Sequence, residues 1–448
     1  MIDLSTIETI VEEQLEELKA MSEQNFCTRR EEDEINLSSK MAQVAIGVRR
    51  SGKSVLCYNA LTKANIQFAY INFDDERFQD ITSADLNNVL LVLNKVYGDF
   101  KYLFMDEPQD VDGWHLFVNR LLRKGLRIVI TGSNAKLLSG ELATHLNGRS
   151  MEIPLFPFSF KEYCEFHQVN VSSKTTSNKA ARLALFYCEY YEYLSEMCIS
   201  FGIIDLNHLF DEYLKKGGFP ELLSEKNVGK YIDTLVSRII NIDIVKRNKI
   251  KYKATLESMI NHILNNVPSE IAYEELAHLF DIRSHHTAEN YVSYAEKAYL
   301  ISICKRWSTQ SKIRVGSRKA YPIDVALMNN RKDAFVGDNL GFRLESIVYI
   351  ELLRRTKPLN QNVFYLKEQS GEADFVVCER NSVIEVIQVS YDIASPATRK
   401  REINGLIVGA KKTKCDKLTL ITRHNQEQIV ENGYTINIVP AYDWLVDC

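Results

Sequence analysis

The chain has 448 residues, 45% of them apolar and 25% charged, with a formal net charge of −4. These values exclude a disordered tail, a collagen-like fibre and a chain that coats nucleic acid through overall basic charge, and the length suggests about three domains. The nine cysteines make no C-x-x-C pair and point to free thiols in a reducing, cytoplasmic compartment. No apolar run reaches the ~18 residues of a membrane span, and the acidic N-terminus does not read as a signal peptide.

Residues 1–40 predict an amphipathic helix with Ile7, Ile10, Val11, Leu15 and Leu18 on one face, followed by a charged segment from Arg29 to Glu34. Val44-Ala45-Ile46 predicts a buried strand. It runs into Gly47-Val48-Arg49-Arg50-Ser51-Gly52-Lys53-Ser54, which fits the phosphate-cradling pattern G-x-x-x-x-G-K-[ST]. Backbone N–H groups must turn inward around a phosphate, and glycines at both ends of the loop allow this. A helix starting near Lys53 points its positive end at the anion. Gly47, Arg50, Ser51, Gly52, Lys53, Ser54 and Val55 are the expected nucleotide contacts. Lys53 is expected on the β- and γ-phosphates of ATP and the Ser54 hydroxyl on Mg²⁺.

A strand at Phe68–Asn72 and a helix near 84–96 come next. Then Tyr102-Leu103-Phe104-Met105 ends in Asp106-Glu107, the acidic companion of such a loop. Asp106 is expected to position the magnesium and Glu107 to polarise the attacking water. A helix at Trp114–Arg123 leads to a strand at 126–130 ending in Thr131-Gly132-Ser133-Asn134. Ser133 or Asn134 would touch the γ-phosphate, or else cap the helix expected from Ala135. Arg149 is a candidate finger on the γ-phosphate, in cis or across a subunit interface, or else an ordinary surface ion pair. Residues 151–155 predict a last strand, and Pro154 and Pro157 mark the exit from the sheet. Alternating strands and helices predict a parallel sheet covered on both faces.

Taken together, GVRRSGKS, YLFMDE, TGSN and NGRS followed by PLFPFSFKEY resemble a prokaryotic AAA+-type, archaeal-ATPase-like P-loop family. That family carries a C-terminal domain of unknown function similar to restriction endonucleases. The resemblance extends to GGFPE at Gly217–Glu221, RKAYPIDVAL at Arg318–Leu327 and GEADFVV at Gly371–Val377, and so covers most of the chain. It implies the same roles for the loop, for the Asp-Glu pair and for the polar and arginine positions that follow.

The region 161–250 is helix-rich, with many aromatics between Phe186 and Tyr193. Residues 254–330 predict a winged helix: helices at 256–264, 273–279 and 284–297, then two strands. Between the strands lies a run from Cys304 to Lys319 with Lys305, Arg306, Lys312, Arg314, Arg318 and Lys319 and no acid. Such a wing suits DNA phosphates; the rival reading is a regulatory arm of the ATPase. In the last domain a nuclease of the restriction type needs an Asp on one strand and an acid-x-Lys on the next. Glu345 and Asp374 fit, but Gln388-Val389-Ser390 stands where acid-x-Lys should, so a retained fold that binds without cutting is the stronger reading. Lys and Arg clusters at 399–401 and 411–414 suit an anion or a solvated helix face.

The expected class is α/β. A P-loop AAA+-type domain with its N-terminal helix occupies 1–160, a helical subdomain 161–250, a winged helix 251–330 and an endonuclease-like domain 338–448. The expected activity is Mg²⁺-dependent ATP hydrolysis that controls the C-terminal modules, with DNA as a partner and a homo-oligomer possible. The alternatives are a slow nucleotide switch without DNA, or a metal-dependent nuclease.

Overall fold

The computed structural model describes residues 2–24, 26–133, 146, 148–169, 171, 206–308, 310, 316–329 and 339–446. Asn134, Lys312, Arg314, the helix expected from Ala135 and the aromatic run 186–193 lie outside the described residues. The chain divides into two compact units. The first is Met1–Pro157 with Ile242–Arg247 and Lys297–Tyr299; the second is Phe158–Asn241, Asn248–Glu296 and Leu300–Cys448.

The first unit is built on five parallel strands: β1 (Ala42–Ile46), β2 (Phe68–Asn72), β3 (Tyr102–Asp106), β4 (Arg127–Gly132) and β5 (Ser150–Pro154). Their order in the sheet is β2-β3-β4-β1-β5, with every pairing parallel. Side chains alternate between two cores, as the two-residue period of a strand requires. Val44, Ile46, Ala69, Ile71, Leu103, Met105, Ile128 and Ile130 enter one core. Ala45, Tyr70, Phe104 and Val129 enter the other. Both faces are covered, so the strands read as continuous apolar runs in sequence.

The N-terminal helix Leu4–Ser22 is capped by Asp3, which accepts from the backbone N–H groups of Ser5 and Thr6. It buries Ile7, Ile10 and Val11 as expected, but the fourth buried position is Gln14, and Leu15 and Leu18 are only half-buried. The cause is the open edge of the sheet. Gln14 Nε2 donates to the Asn72 carbonyl at 2.9 Å and its Oε1 accepts from the Asn72 N–H at 2.9 Å, so an amide side chain closes the end of β2.

The second unit carries one nine-stranded sheet. Its strands are β6 (Ser269–Glu270), β7 (Ile301–Arg306), β8 (Arg318–Pro322), β9 (Gln361–Glu368), β10 (Gly371–Glu379), β11 (Ser382–Ser390), β12 (Leu418–Thr422), β13 (Glu427–Glu431) and β14 (Tyr434–Pro440). The order is β13-β14-β12-β11-β10-β9-β7-β8-β6. The helices Lys253–Asn266, Tyr273–Leu279 and His285–Lys297 precede the antiparallel set β6, β7 and β8. β7 then pairs in parallel with β9, so segments 251–330 and 338–448 share a sheet.

Two of the motifs that carried the resemblance meet in this unit. Asp324 accepts the Gly218 N–H on Oδ2 and the Ala326 N–H on Oδ1, both at 2.8 Å. Gly217 has φ +80°, and a Cβ on it would stand 1.9 Å from Asp324 Oδ1; a Cβ on Gly218 would stand 2.2 Å from the Phe158 carbonyl oxygen. The double glycine is thus a close backbone approach, and GGFPE and RKAYPIDVAL are two halves of one junction.

Candidate nucleotide site

The phosphate loop leaves the C-terminal end of β1. A Cβ on Gly47 would stand 2.0 Å from the Leu155 carbonyl oxygen, which explains the glycine there. Gly52 has φ +92° and opens the helix Lys53–Lys63. The loop is also held from outside its motif. The buried Arg29 guanidinium donates to the Ser51 carbonyl at 3.0 Å and to the Phe156 carbonyl at 2.7 Å.

Asp106 ends β3, with Glu107 immediately beyond. Asp106 accepts from the Thr131 hydroxyl, from the Tyr70 hydroxyl at 3.2 Å and from Ser54. Burial, then the neighbouring Glu107, push its carboxyl up. Glu107 adopts φ +50° and ψ +46°, a left-handed conformation that non-glycine residues adopt at some cost. Its N–H donates to Thr131 Oγ1 at 3.0 Å, and its Oε2 accepts the Ser133 N–H at 2.9 Å. Burial pushes the Glu107 carboxyl up, but Lys53 and then Arg49, with hydrogen bonds from Gln109 and Ser133, outweigh it and hold the group below its ordinary range.

Lys53 Nζ donates to the Val48 carbonyl at 3.0 Å and lies 3.5 Å from Glu107 Oε1. Ser51 Oγ and Ser133 Oγ are buried and find no hydrogen-bond partner among the described residues. Such orphaned groups call for a ligand. A phosphate chain supplies acceptors for both hydroxyls and for the ammonium. Mg²⁺ keeps most of its ligands as phosphate and water oxygens, so Ser54 and Asp106 suffice on the protein side. The residues present therefore fit a magnesium nucleotide.

Lys53, Ser54, Asp106, Glu107 and Ser133 come together, while Asn134 lies outside the described residues. Arg149 is exposed and is not brought to the loop of its own chain. Ser150 pairs with Ala42 at the start of β1, and the loop leaves the other end, after Ile46. At ~3.3 Å per residue that separates them by about 13 Å of strand. Sequence reasoning missed Arg29, Tyr70 and Thr131, and also Arg49 and Asp243. Arg49 is held by Asp74 at 2.8 Å and by Asp243 at 3.2 Å. An acid inside the apolar run Ile239–Lys246 was the available signal for Asp243.

In the second unit, Glu345 and Asp374 face a lysine not foreseen for that place. Lys319 Nζ, on β8, lies 2.7 Å from Glu345 Oε1, and Tyr321 donates to the same oxygen at 2.8 Å. Burial opposes the Lys319 charge, but Glu345 and Asp374 outweigh it and hold the ammonium above its ordinary range. Asp374 sits where the β9–β10 register shifts, a place where a strand re-aims its side chains. Its Oδ2 accepts the Val389 N–H at 2.8 Å. Gln388 Oε1 accepts the Asp374 N–H at 3.2 Å, and its amide donates to Glu402 at 2.7 Å. These residues do not fit a divalent ion as they stand. Among the described residues no group of three or more His, Cys, Asp or Glu could hold a metal.

Three of the basic residues expected to face DNA turn inward. Lys319 is taken by Glu345, Arg306 donates to the Lys367 carbonyl, and Arg318 donates to the Tyr273 hydroxyl.

The sheet order, the glycine-framed loop after β1 and the Asp-Glu pair at the end of β3 define the first unit as a P-loop ATPase domain of the AAA type. A family model described as an AAA domain matches residues 39–164, and one described as a domain of unknown function matches 207–335. The chain belongs to the same family as the uncharacterized protein MJ1544 of Methanocaldococcus jannaschii. It is 33% identical to that protein over 429 residues, covering 92% of this chain and 89% of the relative. An uncharacterized protein of Haemophilus influenzae is 31% identical over 422 residues, covering 90% and 94%. Among solved structures, the Walker-type ATPase PABY2304 of Pyrococcus abyssi is similar with a TM-score of 0.35 at 14% identity, over 67% of this chain and 95% of that one. The ORC1 protein of Aeropyrum pernix, solved in complex with DNA, is similar with a TM-score of 0.29 at 9% identity, over 64% and 85%. No described helix is long and apolar enough to cross a membrane.

Proposed function

We propose that the protein is a Mg²⁺-dependent ATPase whose nucleotide state controls the second unit, with DNA as the first partner to test. The observation that carries the reading is the convergence of Lys53, Ser54, Asp106 and Glu107 around two buried hydroxyls that lack partners. Lys53 exchanges the Val48 carbonyl and Glu107 for the β- and γ-phosphates. Ser54 and Asp106 would hold the magnesium, which would supply charge to offset that of the triphosphate. Glu107, freed of the ammonium, orients the attacking water. Ser133 donates to the γ-phosphate, so its bond is present only while the nucleotide is intact. Arg149 cannot serve its own chain from the far end of β5, so we assign it to a neighbouring copy, across an interface of a homo-oligomer.

ATP turnover by the wild type and by Lys53→Ala tests the reading. Turnover lost by at least about 10²-fold in the variant supports it; full turnover in the variant refutes it. Gel shifts with duplex DNA at two salt concentrations test the partner. Among the described basic residues, the exposed Lys305, Lys400, Lys411 and Lys414 are the ones to neutralise.

A further inference from the structure

The helix Val228–Arg238 continues as a π-helical stretch, Ile239–Lys246, and residues Ile242–Arg247 belong to the first unit. Wide helical turns of this kind are frequent at functional sites. Two side chains of this segment reach the two halves of the nucleotide site. Asp243, 2% exposed, meets Arg49 of the phosphate loop, Oδ2 to Nε, at 3.2 Å. Arg247 Nη2 meets Asp110 Oδ1 at 2.7 Å. Asp110 ends the short turn Pro108–Asp110 that follows Glu107, and Gln109 of that turn donates to Glu107 Oε2. Asp243 and Arg247 also face each other, Oδ1 to Nη1, at 3.6 Å. A chain of charges therefore runs from Asp74 through Arg49, Asp243 and Arg247 to Asp110. It links the loop that takes the phosphates to the turn that carries the water-activating acid.

We propose that Asp243 and Arg247 are positioning residues of the ATPase. They clamp the phosphate loop to the turn behind Glu107 and hold the Arg49 guanidinium in place. The proposal rests on the ATPase reading above. Its energetic basis is the sensitivity of a reacting geometry to position: a shift of about 1 Å in a catalytic group costs about 10²-fold in rate. Neither side chain belongs to the phosphate loop or to the Asp-Glu pair, so the effect belongs in kcat and not in nucleotide affinity.

The test uses the full chain carrying Asp243→Asn, Arg247→Ala, Arg247→Lys, Asp110→Ala and the double variant Arg247→Ala with Asp110→Ala. ATP turnover, the affinity for a fluorescent ADP analogue and the melting temperature are read for each. The clamp predicts kcat lowered by about 10- to 10²-fold in Asp243→Asn and Arg247→Ala, with affinity within about threefold of wild type. It also predicts partial recovery in Arg247→Lys. The double variant should be no worse than Arg247→Ala alone, because the two residues act through one contact. A merely structural role lowers the melting temperature and leaves kcat of the folded fraction unchanged; that pattern overturns the clamp. Wild-type kcat in Asp243→Asn, alongside Lys53-dependent turnover in the parent, overturns the clamp and leaves the ATPase standing. A parent chain without Lys53-dependent turnover fells the ATPase reading, and the clamp with it.

Discussion

Glu107 meets conflicting demands. It is largely shielded from solvent, which favours the neutral acid, yet Lys53 and Arg49 hold its carboxyl below the ordinary range. The group is therefore ionised at neutral pH in the folded chain and gains a proton only below the ordinary glutamate range. The acid limb of the kcat/KM profile, which reports the chain before nucleotide binds, should lie on the acidic side of that range. Removing a positive neighbour shifts the balance toward the neutral form, so Arg49→Met should move the limb toward higher pH. A profile of kcat/KM against pH for both chains checks this, and an unmoved limb would show that Arg49 does not act on Glu107. Glu107→Gln should keep nucleotide binding and lose turnover by about 10²- to 10⁴-fold, since the amide keeps the shape and cannot take a proton.

At the scale of elements, the second unit holds two buried polar junctions with distinct predictions. Asp324 is pushed up to about 6 by burial, against the backbone N–H groups that favour its charged form. A carboxyl raised by folding binds its proton more tightly in the native state, so stability falls as pH rises from about 4 to about 6. Asp324→Asn should flatten that part of the curve, as read from denaturant midpoints across the window. Lys319 and Glu345 form a buried pair, and removing one partner strands the other. Lys319→Met should cost about 3–5 kcal/mol, and adding Glu345→Gln should return much of it; a double-variant cycle reads the difference. Most elements were legible in the sequence because their apolar periods are strong. The phosphate loop, the strand ending in Asp106 and the helix Trp114–Arg123 stand where the pattern put them. What was not legible is the pairing of distant segments. Nothing local says that β7 adds to β9 or that Lys319 reaches Glu345, because a basic run reads as solvated until a partner strand turns it inward. Gln14 is hidden for the same reason: a polar side chain is buried only because the end of β2 needs its hydrogen bonds.

For the whole molecule, two features set what is to be tested. Arg149 stands at the opposite end of β5 from its own phosphate loop. A role in trans predicts that turnover per chain rises with protein concentration, and that Arg149→Ala abolishes the rise while leaving nucleotide affinity intact. Turnover independent of concentration would remove Arg149 from the mechanism. The second feature is the nucleotide site itself, on which the clamp, the trans arginine and the control of the second unit all depend. Calorimetric titration of Mg²⁺-ATP into the wild type, Glu107→Gln and Lys53→Ala tests it most directly. The account predicts one site per chain in the first two and none in Lys53→Ala. Equal binding by Lys53→Ala, with its fold intact, would contradict it.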